Sequence, residues 1–269
     1  MKKKIFITGG GGMLASQLEQ FYIKNQDEVL APRHAELDVL DEEAIKEALY
    51  SFKPDCVFHT AALHVDACED NPELAFKLNG WATGNLAKLC SELDSEFVYI
   101  SSCGYFGDEI KYYPEVEPVV LKTVYARSKH EGEVLALKES KKTYAIRPGW
   151  LFGGNPQHKK NFVYQRYLDA LKSPVIKSAK DKFGTPTFVG DLVLKIEQIL
   201  KTKRYGLYHV TNSGGCSRAE YIAKIIESFG LNNEVIPVDS TNFPRKANVP
   251  ACELLENRNI KLLGLSFLP

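Results

Sequence analysis

The 269-residue sequence predicts an α/β fold, a doubly wound parallel sheet with a smaller C-terminal lobe interleaved into it. Two observations carry that expectation. Short apolar runs alternate with helix-patterned stretches through the first half, and strands separated by helices pair in parallel through right-handed crossovers. Beyond residue 148 the pattern loosens into a stretch rich in Gly, Pro, Lys and Asn, which reads as an excursion away from the sheet.

Taken in order, residues 3–8 read as a strand, 13–24 as a helix, 28–31 as a short strand and 42–52 as a helix. Residues 56–59 read as a strand, 72–93 as one long helix, 96–101 as a strand, 123–140 as a helix and 143–146 as a strand. In the second half, 162–171, 191–200 and 218–229 read as helices and 206–211 as a strand. Ser217 is the natural cap of the last helix, because a serine hydroxyl can accept from the free N–H groups of a first turn.

Composition narrows the function. Lys plus Arg number 34 and Asp plus Glu number 34, so the chain lacks the basic excess of a nucleic-acid protein. No apolar run approaches the ~20 residues that span a bilayer. The basic-then-apolar start breaks at Thr8 into glycines, too early for a signal peptide, so a cytoplasmic protein is expected. The six cysteines, Cys56, Cys68, Cys90, Cys103, Cys216 and Cys252, form no CxxC pair and match no metal pattern. No bound metal is expected. His59, His64 and His209 lie in or beside apolar strands and read as core or pocket histidines.

The strand at residues 3–8 runs into Gly9-Gly10-Gly11-Gly12-Met13-Leu14-Ala15, a glycine turn that opens a helix. Gly9 permits the tight turn, Gly12 lets backbone approach a pyrophosphate, and Ala15 is small enough for close helix–strand packing. The helix N-terminus offers N–H groups and a positive dipole end to phosphate. This is a Rossmann-type dinucleotide site. It places the dinucleotide-binding domain over residues 1–148, with a returning segment near 187–212, and a substrate lobe over 149–186 and 213–269. Where such folds carry an acidic residue to hold the ribose 2′-hydroxyl, this chain has Arg33, whose fork fits a 2′-phosphate. NADP(H) is therefore favoured, with NAD(H) as the alternative. Asp38 and Val39 are placed to meet the adenine, though Asp38 could equally cap the helix that begins near residue 41. Ala61, Ala62 and Leu63 follow the third strand and let backbone lie beside the cofactor.

Tyr125 and Lys129 stand at i and i+4, on one helix face. A free phenol, with a pKa of about 10, exchanges protons poorly at neutral pH, and a nearby ammonium is expected to lower that value. Ser102 ends the strand at 96–101 and can donate to a substrate oxygen beside Tyr125.

These residues resemble the extended short-chain dehydrogenase/reductase family and, within it, the dTDP-4-dehydrorhamnose reductases. The likeness spans nearly the whole chain. It rests on the glycine turn, Leu37-Asp38-Val39, Ala61-Ala62, Val65-Asp66 with Glu69 before Asn79, and Tyr99-Ile100-Ser101-Ser102. It continues through Tyr125 with Lys129, Arg147 with Trp150, Asn161-Phe162, Asp181, Gly184 to Thr187, Asp191 and 250–255. The resemblance implies that Ser102, Tyr125 and Lys129 are catalytic. It implies that Gly12, Met13, Leu14, Asp38, Val39, Ala61, Ala62 and Leu63 face the cofactor, and that Trp150 meets the substrate beside Ser102. Asn161, Phe162 and the segment from Asp181 to Thr187 would shape a sugar-nucleotide pocket. Members often form dimers, so a homodimer is compatible with it. The chain departs from the pattern at Cys103-Gly104, where these reductases usually carry Asp-Tyr. Cys103 then reads as a small pocket residue, since no base stands beside it to make it a nucleophile. It departs again at Val249-Pro250, where an arginine usually precedes the proline; Arg245 or Arg218 could take over phosphate binding. Gly149 and its neighbour Pro148 replace the usual Thr-Ser before Trp150.

The expected activity is NAD(P)H-dependent reduction of a nucleotide-linked 4-keto-6-deoxy sugar in polysaccharide biosynthesis. Tyr125 would give the proton, Ser102 would hydrogen-bond the forming alkoxide, and Lys129 would support tyrosine and ribose. The alternatives are a sugar-nucleotide epimerase of the same superfamily and a non-catalytic NADP-binding regulatory subunit.

Overall fold

The computed structural model describes residues 2–158 and 161–266. β1 (Lys4–Thr8), α1 (Met13–Lys24), β2 (Glu28–Leu30), α2 (Glu42–Phe52) and β3 (Cys56–His59) follow the sequence pattern closely. Before β4 (Glu96–Ile100), the long helix expected over 72–93 is divided. The chain forms α3 (Val65–Asp70), α4 (Pro72–Ala75), a π-helical turn over Phe76–Trp81 and α5 (Ala82–Glu92). The α3–α4 break has a local cause. Pro72 fits a first helical turn, and the Asn71 side chain caps it by accepting from Leu74 N at 3.1 Å.

The remaining elements are α6 (Val124–Glu139), β5 (Thr143–Pro148), β6 (Trp150–Phe152), α7 (Phe162–Lys172) and β7 (Val175–Ala179). Then come β8 (Phe183–Gly184), β9 (Pro186–Phe188), α8 (Val189–Thr202), β10 (Gly206–Val210) and β11 (Cys216–Ser217). The chain closes with α9 (Arg218–Ser228), β12 (Glu234–Val238), β13 (Cys252–Glu253) and α10 (Arg258–Leu262).

The main sheet runs β2-β1-β3-β4-β5-β10, every neighbouring pair parallel. Its strands are apolar on both faces because helices cover both. Ile5 and Ile7 of β1 enter one core with Leu14 and Leu18 of α1 and Ile196 and Ile199 of α8. Phe6 points the other way, into a core with Ile45 and Leu49 of α2 and Leu86 of α5. The winding reverses between β1 and β3, and that reversal opens a crevice at the carboxyl ends of the strands.

The lobe is built from β7 paired with β12, α7 and α9 packed on them, and the small β11-β8-β13 sheet. One sequence expectation is corrected here. Residues 213–269 are not all lobe, because α10 returns to the main sheet. Ile260 is buried in the α1/α8 core, and the Asn259 amide donates to Leu207 O at 2.8 Å.

Two histidines are held as core residues. His59 bridges Thr8 Oγ1 at 2.7 Å and Thr83 Oγ1 at 3.1 Å, and burial, with Lys129 adding to it, pushes its pKa down to about 3. Burial and Arg147 do the same to His209, also to about 3. Neutral imidazoles satisfy these positions without a buried charge. Among the described residues, no helix is long and apolar enough to cross a membrane.

Candidate active site

A cleft of about 800 Å³ lies at the strand carboxyl ends. Gly9, Gly12, Met13 and Leu14 form one wall, with Val39, Ala61 and Ala62 beside them. Ser102, Cys103, Tyr125 and Lys129 line the same cleft. The backbone demands Gly9 and Gly11, with φ of 75° and 78°, and also Gly10, which the sequence did not single out. A Cβ there would sit 2.1 Å from Ala31 O, where the turn presses on the end of β2. α1 begins at Gly12 with no side-chain cap, so its first N–H groups face the cleft without a side-chain acceptor.

The adenosine end is less complete than expected. Arg33 is exposed, with its side chain packed against Gly11 at the end of β2. Asp38 accepts from Leu40 N at 3.0 Å and so caps its own turn, while Asp41 caps α2. Leu63 does not line the cleft. Its N–H donates to Asn79 Oδ1 at 2.8 Å, and its carbonyl accepts from Asn79 Nδ2 at 3.2 Å.

Asn79 explains the π-turn. Its amide also donates to Ser128 Oγ at 3.0 Å, and its own carbonyl accepts from Thr83 Oγ1 at 2.7 Å. Widening the helix by one residue per turn aims that amide at the β3–α3 loop while the displaced carbonyl keeps partners. α6 presses directly on it: a Cβ on Gly132 would lie 2.1 Å from Asn79 O.

α6 starts at Thr123, whose hydroxyl accepts from Ala126 N at 2.9 Å. One turn apart on this helix stand Tyr125 and Lys129. The Lys129 ammonium donates to Ile100 O at 2.6 Å and lies 4.1 Å from the Tyr99 ring centre. Burial pushes its pKa down to about 7, with Glu133 and Cys68 opposing. Tyr125 corrects the sequence reading. The expected lowering by an ammonium is overridden, and its pKa is raised. Burial is the largest cause, a hydrogen bond with Ser102 pulls the other way, and Cys103, Cys68 and Glu253 add to the rise. Tyr125 is thus a protonated phenol at neutral pH, suited to giving a proton away.

The Lys129 shift has a measurable consequence. Between about pH 7 and its unperturbed value near 10.5, the unfolded chain binds a proton there that the folded chain does not. Folding stability therefore rises with pH across that window. In the ligand-free protein, Lys129→Met is expected to gain on wild type at pH 7 and lose that gain by pH 10. Urea unfolding at both pH values checks this, and a wild-type/variant difference independent of pH contradicts it.

Behind Ser102, Ser101 Oγ donates to Glu133 Oε2 at 2.6 Å and pairs with Tyr105 OH at 2.8 Å. Glu133 and Arg147 form a buried ion pair, with Arg147 Nε donating to Oε2 at 2.9 Å. On the outer side, Cys103 Sγ faces Glu253 Oε1 at 3.7 Å, and Trp150 Nε1 donates to Glu253 Oε2 at 2.6 Å. Burial keeps the Cys103 thiol protonated, in agreement with its reading as a pocket residue.

Residues 2–269 match the family described as the RmlD substrate binding domain. The chain belongs to that family. This RmlD-family chain is 31% identical to a dTDP-4-dehydrorhamnose reductase of Mycolicibacterium smegmatis, over 99% of the chain and 82% of the relative. It is 30% identical to the spore coat polysaccharide biosynthesis protein SpsK of Bacillus subtilis, over 97% and 92%. The fold superposes on a dTDP-4-dehydrorhamnose reductase of Bacillus anthracis solved in complex with NADP, with a TM-score of 0.95 and 28% identity, covering 100% of this chain and 95% of that one.

Several other residues that the sequence placed at the substrate have partners within the protein. Asn161 caps α7, accepting from Tyr164 N at 3.1 Å, and its amide donates to Asn155 O. Asp181 accepts from Ser240 N and Oγ at 2.9 and 2.7 Å, tying the lobe together. Thr187 is buried and donates to Thr185 O at 3.2 Å. All three side chains make hydrogen bonds within the protein. Phe162 stacks on Tyr221 with ring centres 5.5 Å apart. Arg245 is bound by Asp66, with Nη2 donating to Oδ2 at 2.9 Å. The residues that sequence reasoning missed are Glu133, Glu253 and Gly10. Glu133 and Glu253 carried no local signal, whereas Gly10 lies within the Gly9–Gly12 run.

Proposed function

We propose that this protein uses NADPH to reduce the carbonyl of a nucleotide-linked 4-keto-6-deoxy sugar, in the synthesis of a surface polysaccharide. The reading rests above all on Ser102, Tyr125 and Lys129 meeting at one end of a glycine-walled cleft. The names of the full-length relatives support it, as does the NADP bound by a protein of the same shape.

The residues present fit the cofactor. The uncapped start of α1 and the Gly9–Gly12 turn suit a pyrophosphate, and Arg33 stands at the end of β2 where a 2′-phosphate would reach it. When bound, NADPH supplies the hydride. Ser102 holds the substrate carbonyl oxygen by a hydrogen bond. Tyr125, kept protonated by burial, passes its phenolic proton to that oxygen as negative charge develops there. Lys129 fixes the Tyr125 side of the site through Ile100 O and offers its remaining N–H groups to the cofactor ribose. Asn79 and Leu63 brace the loop opposite.

Incubation with dTDP-4-keto-6-deoxyglucose, its 3,5-epimer dTDP-4-dehydrorhamnose or the UDP counterparts is expected to consume NADPH and yield the 4-hydroxy sugar. NADPH binding without turnover of any of them, beside an active control reductase, refutes the proposal.

A further inference from the structure

Arg218 opens α9 and stacks on two aromatic rings. Its guanidinium carbon is 3.3 Å from the Trp150 ring centre and 4.9 Å from that of Phe162. The rings hold the face of the fork, as aromatic surfaces do for arginine. Stacking leaves the in-plane N–H edges uncommitted. The described residues offer those edges neither a hydrogen bond nor an ion pair; the backbone N–H alone is used, donating to Lys182 O at 2.8 Å. Glu253, the acidic group that most affects it, binds Trp150 and Cys103 instead. Its surroundings lower its pKa, burial being the largest cause. Arg218 is only half-buried, so its free edges are open to a ligand, and such a fork fits phosphate oxygens two at a time.

The stacking platform is built to be rigid. Trp150 is anchored at its ring nitrogen by Glu253, and its ring lies where only glycine fits below: a Cβ on Gly184 would be 2.1 Å from it. Glu253 in turn touches Cys103, the neighbour of Ser102. The contacts from Trp150 to Glu253 and from Glu253 to Cys103 therefore tie the fork's platform to the wall of the cleft beside Ser102.

We propose that Arg218 is the residue that grips the diphosphate of the sugar nucleotide. The inference rests on the reductase reading for the identity of the ligand. It assigns the substrate's phosphates to the lobe and leaves the cofactor's phosphates to the glycine turn.

Binding of thymidine diphosphate, uridine diphosphate and the bare nucleosides is measured by calorimetry on the NADPH-loaded protein. Wild type is expected to bind one diphosphate far more tightly than its nucleoside. Arg218→Met keeps an unbranched side chain on the rings and is expected to weaken diphosphate binding about 10- to 100-fold, with nucleoside and NADPH affinities unchanged. Arg218→Lys, which keeps the charge without the fork, is expected to fall between. In turnover the loss appears in KM more than in kcat. Diphosphate binding equal in wild type and Arg218→Met overturns the inference, as does a wild type that gains nothing from the phosphates. Absence of sugar reduction with the Arg218 effect intact overturns the reductase reading alone.

Discussion

Tyr125→Phe is expected to cut kcat for sugar reduction by about 10²- to 10⁴-fold, the span of a positioned general acid. The substitution removes one oxygen from a side chain packed beside α3 and the β3–α3 loop, and leaves the ring there. NADPH affinity and unfolding midpoint should hardly move. The raised pKa of Tyr125 makes the prediction specific to direction. A protonated phenol is the form that reduction needs, whereas oxidation of the alcohol must first deprotonate it against burial and the nearby Glu253. Steady-state rates in both directions test this. A Phe variant within tenfold of wild type in reduction removes Tyr125 from the proton path.

The second large effect concerns folding. Glu133→Gln is expected to destabilise the protein by about 3–5 kcal/mol, the range for removing one partner of a buried ion pair. Arg147 would keep its charge with no carboxylate, among Tyr105, Phe106 and His209. Ser101, next to Ser102, would lose a charged acceptor as well. The double variant Glu133→Gln/Arg147→Met should be more stable than Glu133→Gln alone, because it removes the orphaned cation. Chemical denaturation of the three proteins decides. A single variant within 1 kcal/mol of wild type means that the pair contributes little to stability.

The parts of this chain that could be read from sequence are those with local causes. β1 alternates Ile5, Phe6 and Ile7 between two cores, and the glycines after it have a single structural meaning. Tyr125 and Lys129 share a face because helix geometry places i and i+4 together. The π-turn was unreadable because Asn79-Gly80 weakens a helix without saying how the helix will adjust. It is imposed by partners far along the chain, Leu63 and Ser128, that Asn79 must reach. The strands of the lobe are two to five residues long, too short for a period to show. Glu253 is 150 residues from Cys103, and long-range pairings, β13 with β8 and Tyr113 with Leu255, bring it near. The direction of the Tyr125 shift failed for a related reason. Sequence shows the neighbouring charge but not the burial, and burial is the larger effect.

The course of the backbone limits how this protein could be divided. The sixth strand, β10, is reached only after the chain has travelled through α7 to α8, and α10 returns to the sheet after the last lobe strand. A gene fragment ending after β5 would lack both α8 and β10. It would leave β5 with an open edge and remove α8 from the face it covers together with α1, a template for aggregation. Exchanging the substrate-recognising half with that of a relative therefore cannot be a single splice. Any chimera must join the polypeptide at several places, each lying beside the cleft it is meant to preserve.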